Sequence, residues 1–376
     1  MELTCSREQL ARCLAVVGRI APAGGTPGVL AHLLVDAAGE TLRLRATDLS
    51  VTVSLDVPGA VIREHGRQTV PARLASELVR SLPGEQVTLR GKSGTVTVQA
   101  SGYAASLKGV PPEEFPVAGE GEGTLLARIS WQVLQHAVRT VMPAAATDEA
   151  RPILTGILFR LAGGQLTLAA ADGYRLAEAV LPVEGAAGGV DVVLPAAALQ
   201  ELAHLPAGRE DQVEVRSAGH HSPLVFRLPR AWLAAQAIEG RFPDYRQVIP
   251  AAPPTRVVCD RAALLKAVRM AGQFLDNPTG ALTLVVAGDG VGGGQVTILG
   301  AGDELGDACA REAAAVHGPD LTIRFTARYL LDGLSAMAGA RAALELSDEA
   351  TAAILSPVGE ERPSIYVMMP VVSRVE

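Results

Sequence analysis

Internal repetition constrains this chain more than any local pattern. The run Thr41-Leu-Arg-Leu-Arg-Ala-Thr-Asp48 returns as Gln165-Leu-Thr-Leu-Ala-Ala-Ala-Asp172 and again as Val296-Thr-Ile-Leu-Gly-Ala-Gly-Asp303. Asp172 lies 124 residues after Asp48, and Asp303 lies 131 after Asp172. Leu10, Leu134 and Leu264 keep nearly the same offsets. So do the segments opening at Val70 (Val-Pro-Ala-Arg-Leu), Leu194 (Leu-Pro-Ala-Ala-Ala-Leu) and Phe325 (Phe-Thr-Ala-Arg-Tyr-Leu). Three markers at two near-constant spacings mean three copies of one unit, and repeats decide architecture first. In 376 residues each copy is long enough to bury its own core. Soft stretches at Ala118–Gly123 and Pro250–Pro254 suggest domains 1–123, 124–250 and 251–376.

Each copy reads in the same order. An amphipathic helix is predicted over Ser6–Val17, Ser130–Met142 and Asp260–Leu275, with Ser6, Ser130 and Asp260 as N-caps. The apolar stripes are Leu10, Leu14, Val17; Leu134, Val138, Val141; and Leu264, Val268, Ala271. Alternating strands follow, as at Thr41–Ala46 and Val51–Val57. A second helix is predicted at Ala72–Leu82, Ala196–Leu205 and Thr326–Ala338, then two more strands, as at Gln86–Arg90 and Thr95–Ala100. Helices segregated from paired strands indicate an α+β fold.

The N-terminus carries no signal-peptide pattern, no apolar stretch is long enough to span a bilayer, and Cys5, Cys13, Cys259 and Cys309 form no C-x-x-C pair. A reduced, cytoplasmic setting is expected. The net charge of −7 argues against a simple nucleic-acid binder, and 3% aromatics are few for stacking single strands. The helix faces carry a different balance. Arg12 lies about 200° around the helix from Leu10. The repeat offsets carry position 12 to His136 and Lys266, and position 15 to Arg139 and Arg269; Arg73 and Arg80 share a face, and position 73 maps to Arg328. Any one of these fits solvated helix surface. As a set they form a basic stripe suited to phosphate contact without base selection.

Catalytic motifs are absent or misplaced. Gly288-Asp-Gly290-Val-Gly-Gly293 satisfies G-x-G-x-x-G but lies between two strand patterns, so a hairpin loop is expected. Gly91-Lys92-Ser93 lacks the upstream glycine of a phosphate loop and also reads as a hairpin turn. His220-His221 has no partners at ligand spacing. Asp48, Asp172 and Asp303 close equivalent strands and are expected to form turns. No catalytic residue, cofactor or metal is expected.

Gly240-Arg-Phe-Pro-Asp-Tyr-Arg-Gln-Val-Ile-Pro250, Arg151-Pro-Ile-Leu-Thr-Gly-Ile-Leu-Phe159, Ala171-Asp-Gly-Tyr-Arg-Leu-Ala177, Tyr366-Val-Met-Met-Pro370, Val70-Pro-Ala-Arg73 and Ala46-Thr-Asp48 together resemble the bacterial sliding clamps, the β subunits of DNA polymerase III. The resemblance runs over essentially the whole chain. It implies three similar domains in a crescent and two crescents closed head to tail into a homodimeric ring. Helices would line a central hole, with sheets outside. Duplex DNA would pass through, and the ring would tether a polymerase without catalysing anything. Implied partners are the replicative polymerase α subunit, the clamp loader, and other polymerases and repair proteins, all through short peptides. The implied setting is the cytoplasm, near the nucleoid, with no membrane. An acidic exterior would keep DNA off the outside, while lining cations offset phosphate repulsion inside. Contacts without base readout have nearly equal energy at each register, so such a ring slides.

On this resemblance the DNA-facing candidates are Arg12, Arg19, Arg73, Arg80, Arg139, Lys266, Arg269 and Arg328. The peptide groove maps to Leu154, Gly173, Tyr174, Arg175, Leu176, Pro243, Gln247, Val248, Val367, Met369 and Pro370, where Leu154 and Val367 fit plain core positions as well. A flexible Met suits a pocket that accepts varied peptides. The dimer seam maps near Leu107 and to Phe274 and Leu275; a helix-end turn packed inside its own domain explains the last two equally well. The chain departs from better-known members at Tyr174 (His there), Ala171 (Thr), Gln247 (a basic residue) and Gly24 (Arg), with Arg19 the candidate substitute for the last. The tail Val371–Glu376 runs past the usual end and could crowd or extend the groove. Two other readings stay open. One is a peptide-binding scaffold that ignores DNA; the other is an enzyme built around Asp172 and Asp244.

Overall fold

In the computed structural model the residues described are 1–22, 28–116, 123–185, 189–219, 222–277, 279–359 and 364–372. Gly24, His220, His221 and the tail from Ser373 lie outside them. Among the described residues there are six α-helices: α1 (Arg7–Val17), α2 (Ala72–Ser81), α3 (Trp131–Val141), α4 (Ala196–Ala203), α5 (Arg261–Ala271) and α6 (Ala327–Ala336). They fall at the six predicted places. Ser6 Oγ accepts from Gln9 N at 3.5 Å and Asp260 Oδ1 from Ala263 N at 2.8 Å, so both act as N-caps. The stripe residues Leu10, Leu14, Val17, Leu134, Val138, Val141, Leu264, Val268 and Ala271 are all buried. All but α1 stop short of the predicted ends, α5 by the most. Beyond α3 the chain tightens into a 3₁₀ turn, Met142–Ala144, where Pro143 lacks the amide that an α-helix would need. Beyond α5 it does the same over Gly272–Phe274.

The chain divides into two compact units, Met1–Gln132 with Glu201–Ala237, and Val133–Gln200 with Ile238–Glu376. The first holds a five-stranded sheet ending in strand Tyr103–Lys108. It also holds an eight-stranded antiparallel sheet, in which Ala231–Ala235 pairs with Val51–Val57, Leu233 opposite Val53. The second unit holds one twelve-stranded sheet, in which Arg175–Pro182 pairs with Ile365–Met368, Leu176 opposite Val367. Hydrogen-bonded ladders thus run from one sequence repeat into the next. That is why the compact units do not follow the repeats: strands 124–130 and 212–235 of the middle repeat belong to the first unit, and strands 156–195 to the second.

All three aspartate markers sit at turns, and in two of them the marker's own carboxylate ties the turn. Asp48 Oδ1 accepts from Ser50 N and Val51 N at 2.9 and 2.7 Å, and Asp172 Oδ1 from Tyr174 N and Arg175 N at 2.9 and 3.0 Å. The residue after each sits at positive φ, Leu49 at 78° and Gly173 at 96°. Asp303 differs: its own amide donates to Asp276 Oδ2 at 2.9 Å. The glycine-rich run at 288–293 joins the strands Ala281–Gly288 and Gly294–Gly302, and Ser93-Gly94 turns between Gln86–Lys92 and Thr95–Ala100, so both are hairpin loops. The four cysteines are free thiols. Burial pushes Cys5 up to about 12 and Cys13 and Cys259 up to about 11, which keeps them protonated and unreactive at neutral pH.

Candidate functional site

The second unit assembles the predicted groove residues around one buried apolar cluster. Leu154, Leu176, Phe242, Tyr245, Ile354 and Val367 are members of it, with Ala171 packed against it. Leu154 and Val367 are 6% and 3% exposed, so they form floor rather than rim. Three large apolar side chains stand out instead: Tyr174 at 65%, Val248 at 55% and Met369 at 41% exposure. Tyr174 and Met369 are fixed side by side, because Met369 N donates to Tyr174 O at 2.9 Å and extends the ladder. Val248 closes the 3₁₀ turn Tyr245–Val248, whose Tyr245 anchors in the cluster and donates to Glu178 Oε2. Gly173, Pro243 and Gln247 are exposed and Pro370 is buried. Gln247 Nε2 donates to Asp244 Oδ2 at 2.8 Å, which ties this polar position to its own turn. Exposed apolar groups on a rigid apolar floor make a docking surface for apolar side chains. Beyond this surface, Val371 N donates to Arg324 O at 2.8 Å.

Arg175 is the electrostatic centre. Its side chain is 7% exposed. Nε donates to Asp172 Oδ2 at 2.8 Å, and Nη1 donates to Asp332 Oδ2 at 2.6 Å and to Tyr366 Oη at 3.1 Å. The guanidinium also stacks 4.5 Å from the centre of the Tyr329 ring. Burial alone would favour losing its proton, but Tyr366, Asp332 and Asp172 outweigh that and hold the cation firmly charged. Burial raises Tyr366 too, against the opposing pull of Arg175, so its hydroxyl stays neutral. The fork thereby locks the Asp172–Arg175 turn that presents Tyr174. Asp332, Tyr329 and the Tyr366 hydroxyl were not among the predicted site residues. The one sequence signal for Asp332 is its i,i+4 spacing from Arg328 on a helix.

Gly333 of α6 is packed against this network. A Cβ there would lie 2.7 Å from Tyr366 Cδ1 and 3.0 Å from Leu355 Cδ2. Gly333→Ala is therefore expected to lower stability by about 1–3 kcal/mol through overpacking. It should also weaken binding at the surface by displacing Tyr366. Chemical denaturation and peptide titration check this; an unchanged midpoint would mean that the ring yields freely.

The eight basic candidates are all exposed. Four have carboxylate partners: Arg12 with Glu8, Arg19 with Glu201 at 2.7 Å, Arg73 with Glu77 at 2.9 Å and Arg328 with Asp332 at 3.7 Å. Arg80, Arg139, Lys266 and Arg269 have no ion-pair partner among the described residues. Arg19, Arg73 and Arg80 line one cleft of about 630 Å³ between α1 and α2.

Of the three seam candidates, Leu107 is the buried one. It is 3% exposed and sits among first-unit core residues such as Val79, Val96 and Val98. Its strand is the last of the five-stranded sheet, and Tyr103 at the start of that strand is 63% exposed. Phe274 and Leu275 are half-buried behind the turn that ends α5.

Comparison with known proteins supplies a family. Residues 1–119, 128–244 and 246–372 match, in that order, the N-terminal, central and C-terminal domains of the DNA polymerase III beta subunit. The beta sliding clamp of Caulobacter vibrioides is 30% identical over 381 residues, covering 98% of this chain and 99% of its own. That of Synechocystis is 28% identical and covers 99% of each. Among solved structures, the Pseudomonas aeruginosa sliding clamp bound to griselimycin superposes with a TM-score of 0.89 at 28% identity, covering 99% of this chain and 100% of its own. The Bacillus subtilis clamp gives 0.89 at 20% identity, with 99% of each chain covered, and speaks to fold alone.

Proposed function

The chain belongs to the DNA polymerase III beta-subunit family, the beta sliding clamps, and from that membership we propose that it encircles duplex DNA as a head-to-tail homodimer and tethers the replicative polymerase. The processivity role follows from the family. The observation that carries the rest is the full-length run of three beta-subunit domains in one chain, which agrees with the threefold repeat of the sequence. Domains 1–123, 124–250 and 251–376 are the natural division on this reading. The chain has no catalytic role of its own in it, and it works in the cytoplasm.

Two groups of residues divide the work. Arg12, Arg19, Arg73, Arg80, Arg139, Lys266, Arg269 and Arg328 face the duplex and offset phosphate repulsion without reading bases. The surface around Tyr174, Val248 and Met369 takes short apolar peptides from the polymerase α subunit, the clamp loader and repair proteins. Exposure of all eight cations supports the first assignment. The apolar rim on a buried floor supports the second.

The test is topological. Protein loaded on nicked circular DNA should stay through gel filtration and leave when the circle is cut; equal retention on linear DNA would sink the reading. Neutralising one lining residue, as in Arg139→Gln, should change loading only a few-fold. It should also flatten the dependence of binding on log salt by about one contact. Abolished loading would show that Arg139 does more than screen phosphate.

A further inference from the structure

Asp332 serves two cations with one oxygen. Its Oδ2 accepts from Arg175 Nη1 at 2.6 Å and lies 3.7 Å from Arg328 Nε. Arg175 is buried and organises the peptide surface through Asp172; Arg328 is one turn away on α6, with a side chain 64% exposed. The four groups balance, two carboxylates against two guanidinium ions. The guanidinium ions repel each other and compete for a single acceptor. We infer that Asp332 is a positioning residue that couples the peptide surface to DNA, with Arg328 as the moving part. The inference rests on the sliding-clamp reading above. When a phosphate draws Arg328 outward, Asp332 is left to Arg175 alone. The Arg175 fork then holds the Asp172–Arg175 turn, and with it Tyr174 and Met369, more firmly. A peptide arriving at a DNA-loaded clamp meets a more ordered surface and binds more tightly. By linkage the peptide strengthens the hold on DNA by the same factor. The contacts are contiguous from Arg328 to Tyr174, and the element with two states is the Arg328 side chain, on carboxylate or on phosphate.

The experiment uses the full-length protein and a fluorescent peptide bearing the clamp-binding segment of the replicative polymerase from the same genome. Its dissociation constant is measured by anisotropy for free clamp and for clamp loaded on nicked circular DNA. Loaded wild type should bind about two- to fivefold more tightly, the scale that a partly exposed ion pair supports. Arg328→Gln should bind in the free state as loaded wild type does, and DNA should add nothing. Asp332→Asn should bind more weakly in both states, again without a DNA effect. Arg139→Gln, which also loses a lining charge but has no carboxylate partner among the described residues, should keep the full difference. A merely structural loss would weaken both states and leave their ratio unchanged. Coupling that survives Arg328→Gln, or that disappears in Arg139→Gln as well, overturns the inference. Peptide binding without any difference between free and loaded wild type overturns it and leaves the clamp reading intact; a wild type that binds neither peptide nor circular DNA removes both.

Discussion

Arg175→Ala should destabilise the second unit by about 3 kcal/mol, the usual cost of breaking a buried ion pair from one side, and should lower peptide affinity at least about tenfold, as loss of more than 1.4 kcal/mol requires. Truncation strands three groups at once. Asp172, with a side chain 15% exposed, keeps its two turn amides but loses its counter-ion. Tyr366, 3% exposed, loses the partner of its hydroxyl, and Tyr329 loses the planar group stacked on it. The guanidinium is also volume, and its removal opens a cavity under the turn. Arg175→Lys tests which part matters. A lysine keeps the charge but cannot reach Asp172, Asp332 and Tyr366 with one planar fork, so it should recover stability only in part. Urea denaturation read against peptide anisotropy separates the two effects. Because the pairs are mostly buried, added salt should change the loss little. An alanine variant with the wild-type midpoint would mean that water replaces the guanidinium at no cost, and the electrostatic account of the surface would fail.

How much of this was legible in the sequence follows from the range of each interaction. The helices were legible because their signals are local: Ser6 and Asp260 cap within three residues, and Leu10, Leu134 and Leu264 recur at helix spacing. The Asp48 and Asp172 turns were legible for the same reason. At Asp303 the turn was legible but its anchor was not, because its amide bonds to Asp276, on another loop. The groove's floor came from the family motifs, yet the pairing of Arg175 with Asp332 and Tyr366 did not, since they lie 157 and 191 residues away in sequence. Leu107 shows a limit of another kind. A family position names a strand, while depth along that strand decides what the core covers: Leu107 is buried and Tyr103, on the same face, is not. The continuity of sheets across repeats was equally invisible, because period and composition define strands but not their neighbours.

Leu275→Asp should turn the proposed ring into single chains and abolish retention on nicked circles. Two of the open strand edges bear on the seam. Tyr103–Lys108 ends the five-stranded sheet of the first unit. In the second unit, the strand Gly306–His317 pairs along one side with Gly294–Gly302, but on the other side only from Ala314 to His317, leaving the edge from Gly306 to Ala313 unpaired. Open edges invite a partner strand, and a head-to-tail dimer would bring each edge against its complement in the second copy. Phe274 and Leu275, half-buried after α5, would supply apolar contact beside that ladder. A carboxylate at Leu275 would have to be buried without a partner, at roughly 2–4 kcal/mol for each seam. The dimer has two seams, so the substitution acts twice, and a shift of about 4–8 kcal/mol raises the dimer dissociation constant by roughly three to six orders of magnitude. Sedimentation at micromolar concentration should then find the 38.9 kDa chain alone, with an unchanged urea midpoint to show that each chain still folds. An intact dimer would place Leu275 inside its own domain and remove it from the seam. A monomer that still held circular DNA would be more serious, since a hold that survives an open ring cannot be topological.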